Sequence, residues 1–315
     1  MDGHPQDAQT TQLQASFARL RADLSERVVG QPALVERLLI AMLADGHLLV
    51  EGAPGLAKTT AIKELALRIE ADFHRIQFTP DLLPSDLTGT DIYRPQEARF
   101  EFQAGPIFHN LLLADEINRA PPRTQSALLE AMAERQVSMD GRTHPLPDPF
   151  FVLATQNPLD LAGTYPLPDS QLDRFLLRIS LGYPDQDAER ALLAGRDRRD
   201  LIATTTAVLE LEDLARLRAA AAAVHASDAL VDYVQALVNR SRHHDGVRVG
   251  LSPRAGIALL RAARAHALMR GQHHVLPDDV QALFTAVAGH RLVPETDASD
   301  GVALARAILH AVPVD

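Results

Sequence analysis

The chain has 315 residues, 46% hydrophobic and 23% charged, enough for one or two globular domains with sizeable cores. Lys and Arg number 31 against 41 Asp and Glu, a formal charge of −10 that argues against a sequence-independent nucleic-acid binder, and 4% aromatics leave few stacking platforms for single strands. Cysteine is absent, which excludes disulfide frameworks and thiolate sites and suits a reducing cytoplasm. The N-terminal MDGHPQDAQTTQLQ has no basic stretch leading into an apolar one, so no signal peptide is expected, and residues 1–9 are expected to be disordered. An amphipathic helix is predicted over 10–25. VVGQPAL then marks a turn, and Gln31-Pro32 opens a second helix that Gly46 closes. The apolar run HLLVEG (47–52) passes through a glycine-rich segment into the helix TTAIKELALRIEA, a strand–loop–helix order. Four further short apolar runs read as buried strands: FHRIQF (73–78), NLLLAD (110–115), FFVLAT (150–155) and FLLRIS (175–180). Helical patterns such as RTQSALLEAMAER (123–135) separate several of them, which predicts an α/β fold with a five-stranded parallel sheet over 10–183. No apolar run reaches the ~18 residues needed to span a bilayer. At GYPDQD (182–187) the composition changes, and 184–315 reads as a linker and a smaller all-α domain, with Pro253 and Pro277 at helix starts.

The chemistry concentrates at EGAPGLAKTT. A loop between strand and helix can aim backbone N–H groups at a polyphosphate, with the helix N-terminus adding positive potential. Gly52, Ala53, Pro54, Gly55, Leu56 and Ala57 would form that loop, with Lys58 reaching the β- and γ-phosphates, Thr59 ligating Mg²⁺ and Thr60 following in the helix. Ala57 stands where the usual pattern has glycine; the loop tolerates it if its backbone is near helical, so a negative φ is expected there. NLLLADEINRA is a buried strand ending in two acids. Asp115 would hold Mg²⁺, and Glu116 would polarise the attacking water. Asn157, after the run FFVLAT, could orient that water or touch the γ-phosphate. Arg174 in QLDRF could be lent to a neighbouring subunit's phosphate, and Arg254 in LSPRAG could reach the phosphates from the second domain. A surface or helix-start ion pair is the plainer reading of each arginine. The pairs His243-His244 and His273-His274 lack metal-ligand spacing and read as solvated.

From about residue 27 the motifs resemble the AAA+ superfamily and, more closely, its MoxR family: VVGQ, LLVEGAPGLAKT, RIQFTPDLLPSDLTG, GPIFHNLLLADEINRAPPRTQSALLEAM, ATQNP, LPDSQLDRF and LSPRA follow in the family's order and spacing. The resemblance implies an ATPase core and helical lid, usually assembled as a hexameric homo-oligomer with ATP between subunits. Lys58 and Thr59 would be the Walker A residues, Asp115 and Glu116 Walker B, Asn157 sensor 1, Arg174 the arginine finger acting in trans and Arg254 sensor 2. Val29, Gly30 and Gln31 would lie near the adenine. MoxR-like chains also carry alanine before the Walker lysine. Two insertions are implied, at 97–108 within the second helix and at 136–149 as a hairpin before sensor 1, where Asp140-Gly141 signals a tight turn. The implied activity is ATP- and Mg²⁺-dependent remodelling, activation or maturation of protein complexes, with a protein client and often a von Willebrand factor A domain partner. The rivals are a nucleic-acid motor, which the acidic charge disfavours, and a nucleotide-dependent scaffold without hydrolysis, which an intact Glu116 and Arg174 disfavour.

Overall fold

The computed structural model describes residues 5–139, 141–157, 163–194, 207–296 and 300–314. Helices α1 (Pro5–Arg27) and α2 (Pro32–Leu43) lead into β1 (Leu48–Glu51) and α3 (Lys58–Arg68). Next come β2 (Phe73–Gln77), the short α4 (Pro84–Thr88) and a hairpin of β3 (Gly89–Arg94) and β4 (Arg99–Ala104). The core continues through β5 (Leu111–Asp115), α5 (Pro122–Glu134), β6 (Gln136–Met139), β7 (Arg142–Pro145), β8 (Phe151–Gln156), α6 (Asp169–Leu172) and β9 (Leu177–Ser180). Beyond it lie α7 (Gln186–Ala194), α8 (Leu211–Ala223), α9 (Asp228–Arg242), β10 (Val247–Val249), α10 (Pro253–Met269), α11 (Pro277–Ala288), β11 (Val293–Pro294) and α12 (Gly301–Ala311).

The five apolar runs form one parallel sheet in the order β2-β5-β8-β1-β9. Side-chain alternation explains why each run is apolar throughout. Leu48, Val50, Leu111, Leu113, Phe151 and Leu153 pack toward α1, α2 and α3, while Leu49, Leu112, Ala114, Val152 and Ala154 pack toward Leu128, Leu129 and Met132 of α5. Full burial of each such leucine contributes roughly 1.5–3 kcal/mol. Register aligns the carboxyl ends of the strands: Glu51 lies opposite Gln156, and Gln77 opposite Asp115. The segments following β1, β8, β5 and β2 therefore emerge side by side, as ligand-binding loops do in open α/β sheets.

The lid helices share the first of these clusters with the core, through Leu214, Leu217, Leu259 and Ala262 among others. Polar ties join the same units. Arg218 Nε donates to the Met42 carbonyl at 2.9 Å, and the amides of Val208 and Leu209 donate to the Arg68 carbonyl. The lid is helical among the described residues, with a short antiparallel ladder between β10 and β11 that the sequence reading did not anticipate.

Other departures are local. Residues 5–9, expected to be disordered, lie in α1. The left-handed residue after α2 is Asp45 (φ 52) rather than Gly46, and the Gly46 amide closes the helix on the Ala41 carbonyl at 2.9 Å. Gly46 is needed for another reason: a Cβ there would lie 2.5 Å from the Leu176 side chain. The segment 97–108 contains β4 and the turn after it, while the paired arm β3 lies upstream, so that hairpin occupies 89–104. β6 and β7 lie within 136–149, with Gly141 at φ 76 in their turn; Asp140 is outside the described residues. Phe102 of β4 stacks on His144 of β7 at 3.9 Å, which ties the two hairpins together.

Candidate functional site

A cavity of about 310 Å³ opens at the carboxyl ends of β1, β5 and β8. Gly52, Pro54, Gly55, Leu56, Ala57, Lys58, Thr59 and Thr60 line it on one side, and Arg75, Gln77, Asp115, Glu116 and Asn157 on the other. Gly55 takes φ 85, where no other residue sits without strain. Gly52 is needed for space, since a Cβ there would lie 3.1 Å from the Leu181 carbonyl oxygen. Lys58 Nζ donates to the Gly52 carbonyl at 2.8 Å, which folds the side chain back over the loop. Burial lowers the Lys58 pKa, and the nearby charges of Asp115 and Glu116 oppose that shift.

The two acids are held from several sides. Asp115 Oδ1 accepts from Thr155 Oγ1 at 2.6 Å, and Thr155 Oγ1 accepts from the Glu116 amide at 2.9 Å. Thr155 is buried at the end of β8, so it fixes both residues from below. Asp115 Oδ2 accepts two bonds from Arg75, from Nη2 at 2.6 Å and from Nε at 3.1 Å. Arg75 Nη2 also donates to Gln77 Oε1 at 2.9 Å, and Gln77 Nε2 donates to Glu116 Oε2 at 3.2 Å. Arg119 Nε lies 2.7 Å from the same Glu116 oxygen. The sequence reading missed Arg75 and Gln77. Their signal was faint: two polar residues at alternate positions of RIQ, hence on one face of a strand end.

Ala57 contradicts its expectation. Its φ is 58 and ψ 12, left-handed rather than negative. It is the N-cap of α3, and its carbonyl accepts the first helical bond from Ala61 at 2.9 Å. The chain must reverse from β1 into α3 over a few residues, and left-handed steps at Gly55 and Ala57 supply that reversal. For an alanine this costs about 1–2 kcal/mol. Ala53 belongs to the loop but does not line the cavity. Val29, Gly30 and Gln31 also lie outside the lining, and Gly30 and Gln31 meet the segment after β9. Gln31 Nε2 donates to the Gly182 carbonyl at 3.0 Å, and a Cβ on Gly30 (φ 77) would meet Pro184 at 2.6 Å.

The two arginines stand elsewhere. Arg174 and Arg254 line a second cavity of about 480 Å³ between core and lid, which shares no lining residue with the first. Arg254 thus lines a different cavity from the one beside the phosphate loop of its own chain. The first turn of α10 opens onto the cleft beside α5 and α6, because Ala255 on the adjoining face is packed into the core cluster. Arg135 and Arg291 in this cleft are paired with Asp45 and Asp173, at 2.7 and 2.6 Å. Arg174 only donates to the Leu129 carbonyl at 2.7 Å. Neither Arg174 nor Arg254 has a carboxylate partner among the described residues, and both are exposed.

The donor set in the first cavity suits a hard cation. Thr59 Oγ1 and the Asp115 carboxylate share the lining, and the Thr59 hydroxyl bonds to no group among the described residues. Two protein oxygens match a small divalent ion that keeps water and phosphate as its other ligands, as Mg²⁺ does. Among the described residues no group of three His, Asp or Glu side chains could form an all-protein metal cage.

A lysine-bearing loop between strand and helix, beside two acids ending a neighbouring parallel strand, defines the class of P-loop nucleoside triphosphatases. Residues 47–177 match the ATPase family associated with various cellular activities (AAA), and residues 239–311 match the AAA lid domain. The chain is 47% identical over 280 residues to chaperone MoxR1 of Mycobacterium tuberculosis, spanning 86% of this chain and 74% of that protein. It is 32% identical over 317 residues to protein MoxR of Methylorubrum extorquens, spanning 92% and 91%. A crystal structure of a candidate ATPase from Cytophaga hutchinsonii superposes with a TM-score of 0.88 at 37% identity, covering 98% of each chain. The chain belongs to the MoxR family of AAA+ ATPases. Among the described residues no helix is long and apolar enough to cross a membrane.

Proposed function

We propose that the protein hydrolyses ATP in a Mg²⁺-dependent reaction as a homo-oligomeric ring, hexameric by family resemblance, with each nucleotide held between neighbouring copies. One observation carries this reading. Lys58, Thr59, Asp115, Glu116 and Asn157 share one cavity, while Arg174 and Arg254 share another and have no carboxylate partner among the described residues. A site completed by a second copy accounts for that division.

The loop amides and Lys58 would bind the β- and γ-phosphates. Glu116 takes a proton from water as its oxygen attacks the γ-phosphorus in line. The bond from that phosphorus to the bridging oxygen breaks, leaving ADP and phosphate. Asn157 orients the water, and Arg174 and Arg254 of the next copy neutralise charge on the departing phosphoryl group. Mg²⁺ held at Thr59 and Asp115 would supply further charge neutralisation on the phosphate oxygens. Val29, Gly30 and Gln31 would bound the adenine, beside the segment after β9 that Gly30 and Gln31 meet.

Mixing two inactive proteins tests the shared site. Arg174→Ala and Lys58→Ala should each be inactive alone. In mixed rings about one quarter of interfaces would pair an intact loop with an intact arginine, so turnover should return. No recovery in verified mixed assemblies would refute action in trans.

The output we infer is remodelling, activation or maturation of protein complexes in a reducing cytoplasm. The name of the relative chaperone MoxR1 supports it, and the family resemblance adds a von Willebrand factor A domain protein as the expected client. An ATP-locked Glu116→Gln protein used as bait should retain a protein client. Recovery of nucleic acid alone would favour the motor reading.

A further inference from the structure

Among the described residues, Arg75 is the hydrogen-bond donor to the Asp115 oxygen that Thr155 leaves open. Thr155 occupies Oδ1, and Arg75 places both Nη2 and Nε on Oδ2. Asp115 also shares the cavity lining with Thr59 as a candidate ligand of the divalent ion, so the guanidinium and the ion call on the same carboxylate. A plain surface ion pair would end there, but this guanidinium reaches further. Through Gln77 Oε1 it holds the amide that donates to Glu116. One cation is thereby tied to both acids, directly to Asp115 and through Gln77 to Glu116. Its side chain is 47% exposed against 15% for Asp115, so it has solvent to move into when it leaves.

We propose that Arg75 is a positioning residue that competes with the divalent cation for Oδ2 of Asp115, so that metal loading lifts Arg75 off the acid and loosens the Gln77 hold on Glu116. The inference rests on the ATP-site reading above. In this arrangement the carboxylate stays oriented before loading, since Arg75 and Thr155 bracket it. Its metal affinity is reduced by the pairing energy it must give up. Once displaced, Arg75 remains in the same cavity as the phosphate loop and adds positive charge there. Gln77, losing its partner at Oε1, is freer to turn away from Glu116, whose Oε2 keeps its ion pair with Arg119.

The test is Mn²⁺ binding to the full chain, read by electron paramagnetic resonance at saturating non-hydrolysable ATP analogue. Arg75→Gln removes the charge and Arg75→Lys keeps it without the two-pronged contact. Arg75→Gln should bind Mn²⁺ roughly two- to fivefold more tightly than the parent chain, the scale of an ion pair with one half-exposed partner, and Arg75→Lys should fall between. Unchanged or weaker Mn²⁺ binding in Arg75→Gln, with its thermal midpoint preserved, would overturn the proposal and leave the ATP-site reading standing. If the parent chain shows no nucleotide-dependent Mn²⁺ binding, or Lys58→Ala leaves that binding unchanged, the ATP-site reading itself fails and takes the proposal with it.

Discussion

Replacing Ala57 by glycine and, separately, by valine reads the backbone of the phosphate loop directly. At φ 58 the alanine carries about 1–2 kcal/mol of left-handed strain. Glycine removes that strain. Against it stand ~0.4–1 kcal/mol of added freedom in the unfolded chain and at most ~0.8 kcal/mol for a methyl that is half-buried against the core cluster. Ala57→Gly should therefore lie within about 1 kcal/mol of the parent. Valine cannot take this conformation without a second clash, and strain of up to ~3 kcal/mol is expected. The Gly variant should exceed the Val variant by about 2 kcal/mol. At the size of the core this separates their midpoints by roughly 4–8 °C in calorimetry. The two units need not unfold as one, so the transition that shifts between variants is the one to compare. Were Ala57 near helical, the order would reverse by a few tenths of a kcal/mol, since glycine is the poorer helix residue. A valine protein as stable as the glycine protein would refute the left-handed assignment.

Glu116→Gln should keep ATP binding and lose at least ~100-fold in turnover, the usual scale for removing a general base; unchanged turnover in assembled protein would remove Glu116 from the reaction. His47 gives the acid limb of stability a definite sign. Burial, the largest cause, lowers its pKa from 6.5 to about 4. Its Nδ1 accepts from the Val152 amide at 3.1 Å, a bond that protonation at Nδ1 would destroy. Between about pH 6.5 and 4 the unfolded chain binds the extra proton and the folded chain does not. Stability should thus fall by up to ~3 kcal/mol as pH drops through that window. His47→Gln should flatten the fall in urea titrations, though incompletely, because buried His290 is shifted the same way, by desolvation first and by the adjacent Arg291 charge. An acid limb identical in the variant would sink this account.

The sheet was legible because burial on both faces leaves a strong trace: a run such as NLLLAD has no polar alternation to confuse with a solvated strand. The hairpin arm GTDIYR left no such trace. Only Gly89 of its six residues is buried, and its pairing with RFEFQA is set by the close approach of Gly89 and Gly105 to opposing backbone, which composition does not reveal. The end of α2 was legible as a place and misread as a mechanism. A helix stop at Asp45-Gly46 suggests that glycine takes the left-handed step, whereas Leu176, distant in sequence, claims the space beside Gly46.

The site divides along the same line. Lys58 could be read locally because its loop directly follows β1, and Asp115 and Glu116 because they stand at the end of β5. Arg75 and Gln77 could not, because their role depends on β2 lying beside β5, and strand order is a tertiary fact. Arg254 shows the stronger form of this limit. Its motif marks an arginine at a helix start, but which phosphate it can reach is fixed by where the lid packs, and the packing of Leu251 and Ala255 into the core cluster turns it toward the cleft of Arg174. Two exposed guanidinium groups in one cleft, with no carboxylate partner among the described residues, repel each other and gain from an anion brought between them. A neighbouring copy's nucleotide would be such an anion. On this reasoning nucleotide strengthens the contact between copies, and assembly should weaken when either arginine is removed.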